Sequence, residues 1–130
     1  MSNIRAVLLG LVAVVLIGSA PASAGTAQPF SPAALAEAKA AGKPILVEVY
    51  AAWCSVCQAQ SPILAKLVEE PKYKDLVFFK ADFDKDKSDL KALNVQKQST
   101  LIVFKGDTEI DRSVGDTSQF SIESLLDKTL

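Results

Sequence analysis

The chain of 130 residues contains two cysteines, Cys54 and Cys57, with two residues between them. They stand between an apolar run, Ile45-Leu46-Val47-Glu48-Val49-Tyr50, and a stretch whose apolar residues recur at helical spacing. Residues three apart on a helix are neighbours on one face. Cysteines so placed lie within the Cα separation that a disulfide tolerates, so the pair can cycle between dithiol and disulfide with little backbone movement. Cys54 would open the helix, where unpaired N–H groups and the macrodipole favour an anion. The thiolate is the form that attacks a disulfide. Two other readings share this spacing, a static disulfide and half of a zinc site. A zinc site needs about four ligands. The chain has no histidine and no further cysteine, so only carboxylates are left to complete one.

The N-terminus has the three-part order of a secretory signal peptide. Met1 to Arg5 is short and polar with one positive charge, Ala6 to Ile17 is apolar and uncharged, and Ala22-Ser23-Ala24 fits an A-x-A cleavage site. The apolar run is shorter than the ~20 residues of a membrane span. Residues 1–24 are therefore expected to be a signal peptide and the protein to be periplasmic or secreted. Left uncleaved, the same segment would be a membrane anchor.

Cleavage would remove Arg5 and leave the remainder one charge more acidic than the full chain, whose formal net charge is −1. A nucleic-acid partner calls for a basic face, and none is expected here. Lys and Asp/Glu are mixed along the chain, as on a solvated surface. Roughly a hundred residues bury a workable core without staples. The cysteines are thus not needed to hold the fold, which counts against the static disulfide.

Gly25 to Phe30 reads as a leader without periodicity. Ser31-Pro32 looks like an N-cap followed by proline at the first helical position, and Ala33 to Ala41 as a helix that Gly42 stops. Ile45 to Tyr50 is a strand covered on both faces, interrupted by Glu48. Cys57 to about Glu70 is a helix with Pro62 inside it. Leu76 to Asp82 is a strand, Asp84 to Leu93 a short helix with Asp86 as a cap, and Thr100 to Phe104 a third strand. Lys105-Gly106-Asp107 turns into Glu109 to Val114 to close a hairpin. Gln119 to Lys128 is the last helix, with Phe120, Ile122, Leu125 and Leu126 as its apolar contacts. This order builds a central mixed sheet with helices on both faces, an α/β domain.

Trp53-Cys54-x-x-Cys57 after an apolar strand, with proline five residues beyond the second cysteine, resembles the thioredoxin active site. Ser55-Val56 replaces the Gly-Pro usual there. The resemblance spans Lys43 to Leu130. Taken with the N-terminal pattern, it divides the chain into a signal peptide (1–24), a leader and N-terminal helix (25–42) and a thioredoxin-like domain (43–130). Within the superfamily the chain is similar to periplasmic thioredoxin-like proteins and to the C-terminal domain of the transmembrane disulfide reductase.

The resemblance implies Cys54 as attacking thiolate and Cys57 as resolving thiol, with Trp53 offering an apolar surface to a partner; the alternative for Trp53 is plain packing. Glu48 is a carboxylate in an apolar strand. A lone carboxylate is costly to bury, and burial fits it for proton transfer. The family carries an aspartate at the matching place and a lysine, here Lys80, on the neighbouring strand. The alternatives are an outward-facing Glu48 and a plain strand-end Lys80. Gln98-Ser99-Thr100 stands where the family has Ile-Pro-Thr, a stretch that faces the cysteines and pairs with the partner chain. A non-proline cis bond costs ~3–4 kcal/mol. A trans Gln98–Ser99 bond or a mobile loop is therefore expected.

The resemblance implies a thiol–disulfide oxidoreductase and the N-terminal pattern its export; the reducing direction is the reading taken, with an oxidant that installs disulfides as the alternative. The protein exchanges the Cys54–Cys57 pair with protein thiols and disulfides and with an electron donor or acceptor protein. No cofactor and no metal ligand set are expected, since the two cysteines are the redox centre. The rival reading is a non-enzymatic module of the same fold that binds metal or a protein partner.

Overall fold

The apolar run after Lys43 becomes the strand on which the sheet is built. The computed structural model describes residues 25–130, so the segment read as a signal peptide lies outside the described residues. Strand β2 (Pro44–Tyr50) is buried along its length except at its two ends. It pairs in parallel with β3 (Val77–Asp82) and antiparallel with β4 (Thr100–Lys105). Strand β5 (Thr108–Val114) lies antiparallel to β4, and a two-residue β1 (Gln28–Pro29) lies parallel to β3. The sheet order is β1-β3-β2-β4-β5.

Side chains alternate across the sheet, and the alternation sorts the core into two layers. On one face Leu46, Leu101 and Val103 pack against Leu64 and Leu67 of α2 (Ser55–Leu67) and Ile122, Leu125 and Leu126 of α4 (Gln119–Asp127). On the other, Ile45, Val47, Val49 and Phe79 pack against Leu35 and Ala38 of α1 (Pro32–Ala40) and Leu90 of α3 (Lys87–Ala92). Full burial of such a side chain stabilises by ~1.5–3 kcal/mol. This is the mixed sheet with helices on both faces that the sequence implied. Glu48 comes two residues after Leu46, so the same alternation turns it toward α2.

Local signals acted largely as expected. Ser31 accepts a hydrogen bond from the Ala34 N–H at 3.1 Å, and Pro32 opens α1. Gly42 follows with φ 68°, a left-handed value that glycine adopts at little cost. Four expectations need correction. The leader contains β1, whose two residues are too few to show a period. Helix α3 is shorter than expected, because the Asp82 carboxylate accepts from the N–H groups of Asp84 and Lys85 and holds them in a turn. Asp86 stands at the N-cap position of α3, but its side chain accepts from the Asp82 N–H instead of capping the helix. Phe120 is 80% exposed, so it is not one of the apolar contacts of α4.

Candidate active site

Strand β2 ends at Tyr50, and the turn that follows delivers Cys54 to the start of α2. Cys54 is the N-cap residue, and its Sγ accepts a hydrogen bond from the Cys57 N–H at 3.1 Å. A sulfur there satisfies one of the orphan donors at a helix start, as a capping oxygen does elsewhere. No acidic residue occupies the first turn of α2 to oppose negative charge on it. The two cysteines are joined in a disulfide with their Cα atoms 5.3 Å apart. Both are buried, Cys54 at 4% exposure and Cys57 at 1%. Cys57 Sγ lies 3.8 Å from the carbonyl oxygen of Val49, so the pair rests on the end of the central strand.

Trp53 is not a core residue. It is 61% exposed, and its Nε1–H donates to Asp84 Oδ2 at 2.7 Å. Its ring meets Phe83 edge-on with centroids 6.4 Å apart. The bond fixes a broad apolar surface next to Cys54. From the sequence Asp84 reads only as the start of a short helix, since a partner 31 residues away leaves no local signal.

Glu48 is buried at 1% exposure, on the α2 side of the sheet. The Ser61 hydroxyl donates to its Oε1, and the Lys80 ammonium lies 3.8 Å from its Oε2. Lys80 is the residue opposite Glu48 on β3. Its ammonium also donates to the Ser61 oxygen at 3.4 Å and lies 3.8 Å from the Tyr50 ring centre. Burial pushes the Glu48 carboxyl above its ordinary value, and the Ser61 hydroxyl and Lys80 charge pull it only partly back. Sequence reasoning found Glu48 and Lys80 but missed Ser61. The available signal was spacing, because Ser61 follows Cys57 by four residues and lies one turn along the same face of α2.

The loop before β4 is firmly held. Among the described residues every peptide bond is trans, including Gln98–Ser99. Ser99 is buried and has φ 58°, an uncommon value for a residue with a side chain. Its N–H donates to the Val49 carbonyl at 2.8 Å, and its own carbonyl accepts from the Gly115 N–H at 2.9 Å. Its hydroxyl donates to the Gln98 carbonyl, and the Thr100 hydroxyl donates to that of Lys97 at 2.7 Å. Of the two expected outcomes, the trans bond is the one present, and hydrogen bonds to Val49 and Gly115 hold the Ser99 turn on both sides. Val49 O therefore receives Ser99 and touches Cys57, which brings the loop beside the disulfide.

The sequence profile of the family described as Thioredoxin matches residues 29–128. The chain belongs to the thioredoxin family. That family consists of thiol–disulfide oxidoreductases whose redox centre is a cysteine pair, and the match takes in α1 and only the second residue of β1. A thioredoxin H-type of Brassica campestris is 36% identical over 81 residues, which are 62% of this chain and 64% of that protein. The chain thus spans just under two thirds of that relative. The thioredoxin of Coprinus comatus is 33% identical over 89 residues, 68% of this chain and 83% of its own. The crystal structure of Trxlp from Edwardsiella tarda EIB202 superposes with a TM-score of 0.75 at 42% identity, covering 78% of this chain and 98% of that one. Among the described residues of this chain, no group of three or more Cys, Asp or Glu is gathered where it could hold a metal ion.

Proposed function

We propose that this member of the family is an exported protein that reduces disulfides in partner proteins and is itself re-reduced by an electron-donor protein. The observation that carries the reading is the Cys54 sulfur at the N-cap of α2, accepting the Cys57 N–H. In the reduced protein the same donor and the helix dipole favour a thiolate on Cys54. That thiolate attacks one sulfur of a partner disulfide, and the other partner sulfur leaves. Cys57, deprotonated, then attacks Sγ of Cys54, and the second partner sulfur leaves. The partner disulfide gains two electrons and two protons to become a dithiol, and the Cys54–Cys57 dithiol becomes the disulfide.

Glu48 is the group that takes the proton from Cys57. Its burial beside Ser61 and Lys80 supports this role. Trp53 and half-buried Gln98 flank the pair and supply the partner-facing surface, whereas Ser99 and Thr100, expected to share it, are buried and act through the backbone of the turn. The test is reduction of insulin disulfides by the dithiol form, followed as turbidity. Turnover under a reductant is expected to exceed the uncatalysed rate of the reductant. A rate no greater than the reductant alone would overturn the reading.

Export rests on the order of charge, apolar run and A-x-A site in residues 1–24. Intact-mass spectrometry of protein recovered from the native cell envelope should give a chain beginning at Gly25. A membrane-bound species that retains Met1 would show an anchor instead.

A further inference from the structure

Helix α2 buries Cys57, Gln60, Leu64 and Leu67 on one face. Three of these suit a core, and Gln60 does not. It is wholly buried, with no exposed surface. Its amide Nε2 donates to the Asp116 carbonyl at 2.7 Å and to the Ser99 carbonyl at 3.3 Å. Its Oε1 has no hydrogen-bond partner in the protein among the described residues. A buried acceptor left unpaired costs more than an apolar side chain of the same shape in that place. Packing therefore does not account for glutamine here, and its two main-chain partners do.

Those partners lie in different loops. Ser99 precedes β4, and Asp116 follows β5. The Gly115 N–H also reaches the Ser99 carbonyl, so Gln60 completes a clamp of α2, the Ser99 turn and the 115–116 turn. Ser99 holds a left-handed conformation that persists only where its surroundings over-determine it. The Ser99 N–H and Cys57 Sγ both reach the Val49 carbonyl, so the clamped turn borders the disulfide. Exposed Lys97 and half-buried Gln98 are the parts of that turn left open to a partner.

We propose that Gln60 is a positioning residue: it fixes the Ser99 turn to the helix that carries the cysteines, and so sets how tightly an extended partner chain is held beside them. The second half of this rests on the disulfide-reductase reading. The first half does not. The chemistry at sulfur is left to the cysteines and Glu48, so Gln60 acts on partner affinity and not on the reactivity of Cys54.

The test replaces Gln60→Met in the full-length protein, which keeps the side chain's length and removes both donors and the orphan acceptor. Amide exchange at Ser99 and Gly115, read by NMR on the oxidised protein, should become about fivefold faster, the worth of one net hydrogen bond. KM for insulin should rise by a similar factor with kcat little changed. The rate at which iodoacetamide alkylates Cys54 in the reduced protein should stay as in the parent, a readout that general unfolding would not spare. Should Gln60→Met fail to fold, Gln60→Asn keeps the amide but shortens its reach, and the same changes are expected. Unchanged exchange at both amides would overturn the clamp. Faster exchange with an unchanged KM would overturn its role in holding the partner. A parent protein inactive on insulin would overturn the reductase reading, and the exchange comparison would still decide the clamp.

Discussion

Cys54→Ala is expected to abolish insulin reduction, leaving at least about a thousandfold less turnover than the parent, because the only thiolate at a helix start is gone. It should also capture no partner. Cys57→Ala is expected to be as inactive in turnover but to behave differently as a trap. Cys54 still attacks, a mixed disulfide forms, and no second thiol is at hand to release it. The asymmetry follows from the capping geometry. The Cys54 sulfur takes the Cys57 N–H, whereas Cys57 lies deeper against the Val49 carbonyl. Non-reducing electrophoresis of each variant after exposure to envelope proteins, with mass spectrometry of the adducts, makes the comparison. Equal trapping by the two variants would reverse or dissolve the assignment of nucleophile and resolver.

The second large effect is expected at Glu48. General acid–base groups contribute ~10²–10⁴ in rate. Glu48→Gln should therefore slow release of the mixed disulfide at neutral pH by about a hundredfold. The first attack by Cys54 should be spared. The same variant has a stability signature whose sign is set by the raised carboxyl value. Between the ordinary carboxyl value of 4.5 and the raised one, the folded protein keeps a proton on Glu48 that the unfolded chain releases. This contribution to stability is whole below 4.5 and is lost as pH rises through the folded value. Glutamine stays neutral throughout. The stability of Glu48→Gln relative to the parent should thus increase with pH across that window and then level off. Urea unfolding of both proteins between roughly pH 4 and 8 measures it. Slowed release with a flat stability difference would mean that Glu48 is not the buried titrating group. A sloping difference with unchanged release would make it structural only.

Much of the site can be read from local sequence because its parts are local. The spacing of Cys54 and Cys57 and their place at a helix start need only three residues and the geometry of one turn. Ser31-Pro32, Gly42 and Gly106 mark helix and hairpin ends through φ preferences and capping, which each residue carries by itself. The apolar run 45–50 announces a strand buried on both faces, and Glu48 within it announces its own cost of burial. The family resemblance extended the reading to Lys80 and to Gln98-Ser99-Thr100.

What the tertiary structure alone decided are the partners of polar groups. Trp53 reaches Asp84 across 31 residues, and Gln60 reaches Asp116 across 56. Ser61 meets Glu48 only because α2 crosses the sheet above it. Helical spacing puts Gln60 and Ser61 near Cys57 but names no acceptor for either. The exposure of Phe120 and the pairing of β1 are likewise decided by neighbours remote in sequence. The left-handed Ser99 is the clearest case. Serine has no preference for φ 58°, and the turn holds that value because Val49, Gly115 and Gln60 supply its hydrogen bonds. A backbone conformation opposed to local preference must be stabilised by long-range contacts. The sequence determined the strand, the helix start and the redox pair, and the packing of three distant segments decided the shape of the surface beside them.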